Sequence, residues 1–166
     1  MDSPGFGNLD VASEIVERRL ALWNATLRAA HEKDKDGFGR RFRFLTIARD
    51  KGCLGDEIAQ QLSLRLGWHV FDKEIVTYIA RNSHVRENLV CQLDGKSQSL
   101  VEDTISRLLR MPEYGSFGSS EYHESLIKTL VCLAEHGAAI LVGRGANFAL
   151  RGDDGGIRMR VTAPDE

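Results

Sequence analysis

The sequence has few prolines, few cysteines and no long apolar run. Proline and cysteine each account for only 3 of its 166 residues, and aromatic residues make up 7%. The cysteines, Cys53, Cys91 and Cys132, are odd in number and widely spaced, which predicts neither a disulfide framework nor a CxxC metal motif but reduced thiols. The five histidines are scattered and indicate no metal site. No apolar stretch approaches the ~20 residues of a membrane-spanning helix.

An excess of charge of one sign is also missing. The 22 Lys and Arg residues are balanced by 24 Asp and Glu residues, and the isoelectric point is about 6.2. Nucleic-acid-binding proteins usually carry a basic stripe, so we expect no nucleic-acid partner. The first ten residues lack the basic and apolar regions of a signal peptide, which together with the reduced thiols indicates a cytoplasmic protein. A chain of this length forms one domain with a real core by default.

The hydrophobic pattern predicts short buried strands that alternate with helices. Strands are expected at 44–48, 68–71, 138–142 and 157–162. Helices are expected from residue 10 into the charged run 31–36, and at 56–66, 73–82, 86–111 and 121–136, with a short helical start at 148–150. The stretch 111–120 is the loosest part of the chain. This order, with right-handed crossovers, predicts a layered α/β fold.

The first helix carries one apolar face, formed by Val16, Leu20, Trp23 and Leu27, and Asp10 is a plausible N-cap. We favour a helix that covers the core. The alternative is a dimer contact through Trp23, which would make the protein a homodimer through its N-terminal helix.

Three chemically distinctive segments follow predicted strand ends: Arg49–Asp56, Asp72 and Gly143–Asn147. Ligands of α/β sheets bind beyond the carboxyl ends of the strands, so these segments predict a functional site at one edge. The first has the layout of a phosphate-binding loop, in which a strand leads through glycines into a helix. Its spacing, Gly52-x-x-Gly55, is a less specific signal of phosphate binding than the full GxxxxGK[ST] pattern. An ordinary strand-to-helix turn is compatible with it.

Residues 46–59, Thr-Ile-Ala-Arg-Asp-Lys-Gly-Cys-Leu-Gly-Asp-Glu-Ile-Ala, resemble the opening of the cytidylate kinase-like family. The resemblance continues through Leu66-Gly67-Trp68 and Phe71–Ile75, and it is most specific at 140–148, Ile-Leu-Val-Gly-Arg-Gly-Ala-Asn-Phe. It covers about residues 42–166. It implies a three-layer P-loop kinase-like α/β fold with a mostly parallel sheet over 41–166, preceded by an N-terminal helical extension over 1–40.

The resemblance also implies an activity, phosphoryl transfer from ATP with Mg²⁺ to a pyrimidine nucleoside monophosphate. It places Asp72 in the acceptor pocket and Arg144 on the acceptor phosphate, a task suited to a forked guanidinium. It implies nucleotide or phosphate contacts at Arg49, Lys51, Gly52, Cys53, Leu54, Gly55, Asp56, Glu57, Gly143, Gly145 and Asn147. From the residues alone, Arg144 is equally compatible with a solvated turn residue and Asp72 with an N-cap.

Several residues depart from the family pattern. Asp56 stands where the phosphate loop should end in a cation, Cys53 where a serine is expected, and Leu54 where glycine is usual. Gly145 replaces the aspartate that follows the acceptor-site arginine in cytidylate kinases. The sequence stops at Glu166, before the arginine-rich lid, so we expect either a fragment or a lidless fold. Two alternatives therefore stay open: a catalytically weak or inactive nucleotide-binding or regulatory module, and a structural interaction domain.

Overall fold

The computed structural model describes residues 9–33, 41–112 and 120–163. The strands there are Phe44–Arg49 (β1), His69–Phe71 (β2), Ala139–Val142 (β3) and Gly156–Val161 (β4). The helices lying wholly within those ranges are Leu9–Lys33 (α1), Gly55–Leu66 (α2), Lys73–Arg81 (α3), Ser83–Cys91 (α4), Gly95–Leu109 (α5), Glu121–His136 (α6) and Ala146–Ala149 (α7). None of these helices combines the length and the apolar character that crossing a membrane requires.

The sheet has the order β2-β3-β1-β4, and every neighbouring pair of strands is parallel. Successive residues of β1 point to opposite faces, so Phe44 joins one hydrophobic cluster while Leu45 and Ile47 join another. The first cluster includes residues of α1 and of α3 to α6, and the second includes Ala59 of α2. Helices therefore cover both faces, which confirms the predicted three-layer, P-loop kinase-like α/β fold.

Polar N-caps explain where four of the helices begin. The side chains of Asp72, Asn82, Asp94 and Ser120 each accept a hydrogen bond from the backbone N–H three residues later, and they start α3, α4, α5 and α6. The helical pattern at 86–111 proves to be two helices, because Asp94 opens a new one. Most of the loose stretch expected at 111–120 lies outside the described residues.

Helix α1 is bound to the core through Trp23. This side chain is fully buried, and its indole N–H donates a hydrogen bond of 3.0 Å to the carbonyl oxygen of Gly137. Its ring meets Phe71 and His136 edge-on, at centroid distances of 5.0 and 5.1 Å. The helix thus covers the core, as favoured. Trp23 has no surface left for a dimer contact, so the homodimer stays a prediction about other residues of α1.

Helix α1 runs antiparallel to β2. Arg19 lies beside Asp72, just after the strand, with Nη1 4.0 Å from Oδ2. Seven residues later, Oγ1 of Thr26 is 3.0 Å from Nε2 of His69, the first residue of the strand. The expected N-cap at Asp10 is wrong, because α1 already includes Leu9 and Asp10 lies within its first turn.

The three cysteines are unpaired, which confirms the expectation of free thiols. Cys91 is exposed, whereas Cys132 is buried in α6, and its burial raises the pKa of that thiol to about 12. Cys132 is therefore a core residue without nucleophilic character at neutral pH.

We expect Trp23→Ala to lower the free energy of unfolding by about 3–5 kcal/mol, because the substitution removes a large buried ring and leaves a cavity. Denaturant unfolding followed by circular dichroism measures the change. Leu64→Ala is the control, because Leu64 is 79% exposed on α2 and its loss should cost within about 0.5 kcal/mol. Equal stability of the two variants would contradict the anchoring role of Trp23.

Candidate functional site

The parallel sheet brings the three predicted segments to one edge. Arg49–Asp56 follows β1, Asp72 follows β2, and Gly143–Asn147 follows β3, and the carboxyl ends of parallel strands share an edge. The first and third segments are adjacent, because the N–H of Gly143 donates a 3.0 Å hydrogen bond to the carbonyl oxygen of Ile47 in β1. Asp72 follows β2, which pairs with β3 on the side away from β1.

The first segment forms an open loop around a cavity of about 490 Å³, lined by residues 49–57. Gly52 has a φ of +83°, and a Cβ built on it would meet no atom within 4 Å. Leu54, directly before α2, is also left-handed, with a φ of 56°, and no side chain caps the helix. The first backbone N–H groups of α2 are therefore available to an anion, which the positive end of the helix dipole also favours.

Two carboxylates of this loop are paired with arginines. Nε of Arg49 lies 3.0 Å from Oδ1 of Asp56, and Nη2 donates to Oδ2 at 3.4 Å, which makes a forked ion pair. Oδ1 of Asp50 lies 3.2 Å from Nη2 of Arg160 in β4. Lys51 is exposed and forms no ion pair with any described residue. Asp56 therefore does not simply reverse the charge of the loop, because Arg49 neutralises it.

The third segment is a turn of three consecutive left-handed residues. Gly143, Arg144 and Gly145 have φ values of 74°, 53° and 71°. A left-handed conformation costs a non-glycine residue roughly 1–2 kcal/mol, and such strain is concentrated at functional sites. Arg144 is half-buried, and its Nε has no hydrogen-bond partner among the described residues. One donor of its guanidinium is therefore unused, and that donor is shielded from solvent.

Three other candidate residues make hydrogen bonds within the chain. Asp72 is the N-cap of α3, because its Oδ1 accepts the N–H of Ile75 at 3.0 Å, and its Oδ2 faces Arg19. The amide of Asn147 donates a 3.0 Å hydrogen bond to the carbonyl oxygen of Met159 and so ties α7 to β4. The thiol of Cys53 donates to the carbonyl oxygen of Asp50 at 3.0 Å, which closes the loop on itself.

Phosphates fit this edge better than a resident metal ion does. The uncapped start of α2 and the half-buried guanidinium of Arg144 both suit phosphate oxygens. In the described part of the chain, no three His, Cys, Asp or Glu residues lie together in a way that could hold a metal ion. Proteins usually hold Mg²⁺ with one or two carboxylates plus the phosphates of a substrate. Glu57, exposed in the first turn of α2, is the carboxylate that would serve here.

One residue of the site escaped the sequence analysis. Arg160 reaches from β4 to Asp50 and thereby ties the beginning of the loop 49–56 to the edge strand. The alternation of Arg158 and Arg160 along a strand was the available signal, since residues two apart share a face. Their partners differ, however, because Arg158 donates to the carbonyl oxygens of Leu150 and Asp153, and only the strand order brings Arg160 to Asp50.

Comparison with known proteins agrees with this arrangement. The cytidylate kinase-like family matches residues 44–166, from β1 through the loop 49–56, the Gly143–Gly145 turn and β4. No curated protein and no solved structure gave a match. Because the family match contains all four strands and spans well over half of the chain, the chain belongs to the cytidylate kinase-like family.

Proposed function

We propose that this protein transfers a phosphoryl group from ATP to a pyrimidine nucleoside monophosphate. The observation that carries the proposal is the adjacency of two anion sites at one sheet edge: the uncapped glycine loop before α2 and the turn bearing Arg144. Phosphoryl transfer depends mainly on positioning and charge neutralisation, and two such sites on neighbouring strands are suited to both. Family membership supports kinase-like chemistry in general, and the pyrimidine acceptor is our finer proposal.

The roles follow from the placement of each group. The N–H groups at the start of α2 would hold the β- and γ-phosphates of ATP, and Arg144 would bind the acceptor phosphate through its fork. Asp72 would accept a hydroxyl of the acceptor sugar through Oδ2, since Oδ1 is engaged with α3. When bound, Mg²⁺ supplies charge neutralisation between the phosphates, and Glu57 would hold it. The attacking oxygen belongs to the acceptor phosphate itself.

A weak or inactive nucleotide-binding module is the second candidate. It is favoured by the Arg49–Asp56 pair, which removes net positive charge from the loop. At ~5 Å and an effective dielectric of ~20, a unit charge pair is worth about 3 kcal/mol, or roughly a hundredfold in affinity. A loop whose arginine is neutralised would hold a triphosphate less tightly, which favours a weak or inactive module over a fast kinase.

Thermal unfolding with added nucleotides tests binding, and a coupled assay of ADP formation tests turnover. We expect ATP and a pyrimidine monophosphate each to raise the melting temperature, with a larger rise when both are present, because a ligand that binds only the folded state stabilises it by RT ln(1 + [L]/Kd). Measurable ADP formation would favour the kinase, and binding without turnover the module. A panel that leaves the melting temperature unchanged would contradict both.

We expect Arg144→Gly to weaken monophosphate binding about tenfold or more, while the fold persists, because glycine accepts the left-handed φ of this position. Isothermal titration calorimetry measures the change. The control is Arg65→Ala, which removes an exposed arginine from the last turn of α2. Alanine is used there because Arg65 lies in a helix, which glycine would destabilise. Unchanged affinity in Arg144→Gly would remove Arg144 from the acceptor site.

The outer face of α1 supports a further role, pairing of subunits. Val11, Ile15 and Leu22 are 47%, 52% and 57% exposed, and with Arg18 they follow a spacing of four, three and four residues. This spacing forms a continuous stripe of the kind that coiled coils use. We propose that the stripe packs antiparallel against the same helix of a second copy.

Charge on this face does not oppose that occupant. Arg18, the one charged residue of the stripe, lies one turn from Glu14, with its Nη2 4.0 Å from Oε1 of Glu14, so the pair leaves no net charge there to repel a second copy. We expect Leu22→Glu to shift the protein from dimer to monomer in sedimentation velocity experiments. The control Leu64→Glu changes a leucine that is 79% exposed on α2 and should leave the dimer intact. A parent chain that is monomeric at high micromolar concentration would contradict the pairing.

A further inference from the structure

Gly55 has no side chain because Arg49 occupies the space where one would lie. A Cβ built on Gly55 would stand 2.6 Å from Cδ and 2.8 Å from Cβ of Arg49. Gly55 is the first residue of α2 and is buried. Arg49 therefore crosses from the end of β1 over the first residue of the helix, directly along the wall of the phosphate loop.

The far end of Arg49 lies between the loop and the turn that carries Arg144. Nη1 of Arg49 is 3.1 Å from a Cβ built on Gly143, and its Nε and Nη2 face Asp56. The guanidinium thus spans the short gap between the two anion sites. It is only 28% exposed, whereas Asp56, at the rim, is 65% exposed.

We propose that Arg49 is the phosphate-binding cation of this loop and that Asp56 is a resident counter-ion, which the terminal phosphates of a nucleoside triphosphate displace. In P-loops a lysine at the end of the loop normally reaches these phosphates. Here the loop ends in Asp56, and the cation comes from its first residue instead. This inference rests on the proposed function, because it names the group that would contact the transferred phosphate.

Displacement of Asp56 is physically reasonable. An ion pair with one exposed partner adds little net stability, because water solvates the released carboxylate well. A terminal phosphate can accept two hydrogen bonds from the guanidinium as the carboxylate does, and it carries more negative charge. The other cations at the loop are less suited, since Arg160 is engaged with Asp50 and Lys51 is exposed at the surface.

The experiment compares four variants with the parent, with calorimetric titration of inorganic tripolyphosphate and of ATP with Mg²⁺. Arg49→Met should weaken binding of both ligands about ten- to hundredfold, the range expected when a hydrogen-bonded charge is lost. Lys51→Met removes one positive charge from the same loop and tests the rival cation, so it should lose less affinity than Arg49→Met. Asp56→Asn should tighten binding severalfold.

Gly55→Ala provides a test without any change of charge. The added methyl group must push Arg49 aside, so we expect a loss of affinity similar to that of Arg49→Met, with the fold verified by circular dichroism. The loss should be selective for the triphosphate side: monophosphate binding, which depends on Arg144, should change less.

The outcomes separate this inference from the proposed function. If the parent binds ATP and Arg49→Met binds it equally well, or if Lys51→Met loses more, the role of Arg49 is overturned while nucleotide binding stands. Weaker binding by Asp56→Asn would show that Asp56 is a ligand and not a counter-ion, which also overturns the inference. Arg49-dependent binding of tripolyphosphate without ATP binding would support the inference and contradict the nucleotide function. A parent that binds neither ligand contradicts both.

Discussion

The parallel pairing of β1 with two neighbours is the constraint on which the rest of the site depends. β1 lies between β3 and β4, and it is buried on both faces of the sheet. Its carboxyl end must therefore emerge beside the ends of both neighbours, which places the loop 49–56 next to the turn after β3 and next to Arg160 of β4. An antiparallel partner on either side would have moved one of these groups to the opposite edge.

Much of this arrangement could be predicted because it depends on residues that are close together in the sequence. The alternation of short apolar runs with helical patterns predicts the strand boundaries to within a residue or two. Helices α2 and α6 end at Gly67 and Gly137, whose positive φ values glycine adopts readily. Ser120 is of a residue type that favours the N-cap position, and it accepts a hydrogen bond from the N–H of His123, three residues later. The convergence of three segments at one edge followed from parallel strands alone, without knowledge of their order.

Interactions between residues distant in sequence could not be predicted in the same way. Nothing near Trp23 in the sequence indicates that its N–H meets Gly137, 114 residues later. Asp56 looked like a reversal of charge, since the sequence does not show that Arg49 folds back across Gly55 to neutralise it. The family resemblance implies a ligand contact at Asn147, and the sequence does not show that its amide also donates to the carbonyl oxygen of Met159. Side-chain partners of this kind depend on rotamers and packing, which patterning does not determine.

The antiparallel course of α1 along β2 brings the N-terminal helix to both ends of that strand. Arg19 lies beside Asp72 at one end, and Thr26 meets His69 at the other, roughly 10 Å away at the rise of an α-helix. A sugar hydroxyl bound to Oδ2 of Asp72, as proposed, would share that oxygen with Arg19. Filling the proposed acceptor site would then change the contact that holds this part of α1 to the end of β2, and would leave the Thr26 contact untouched.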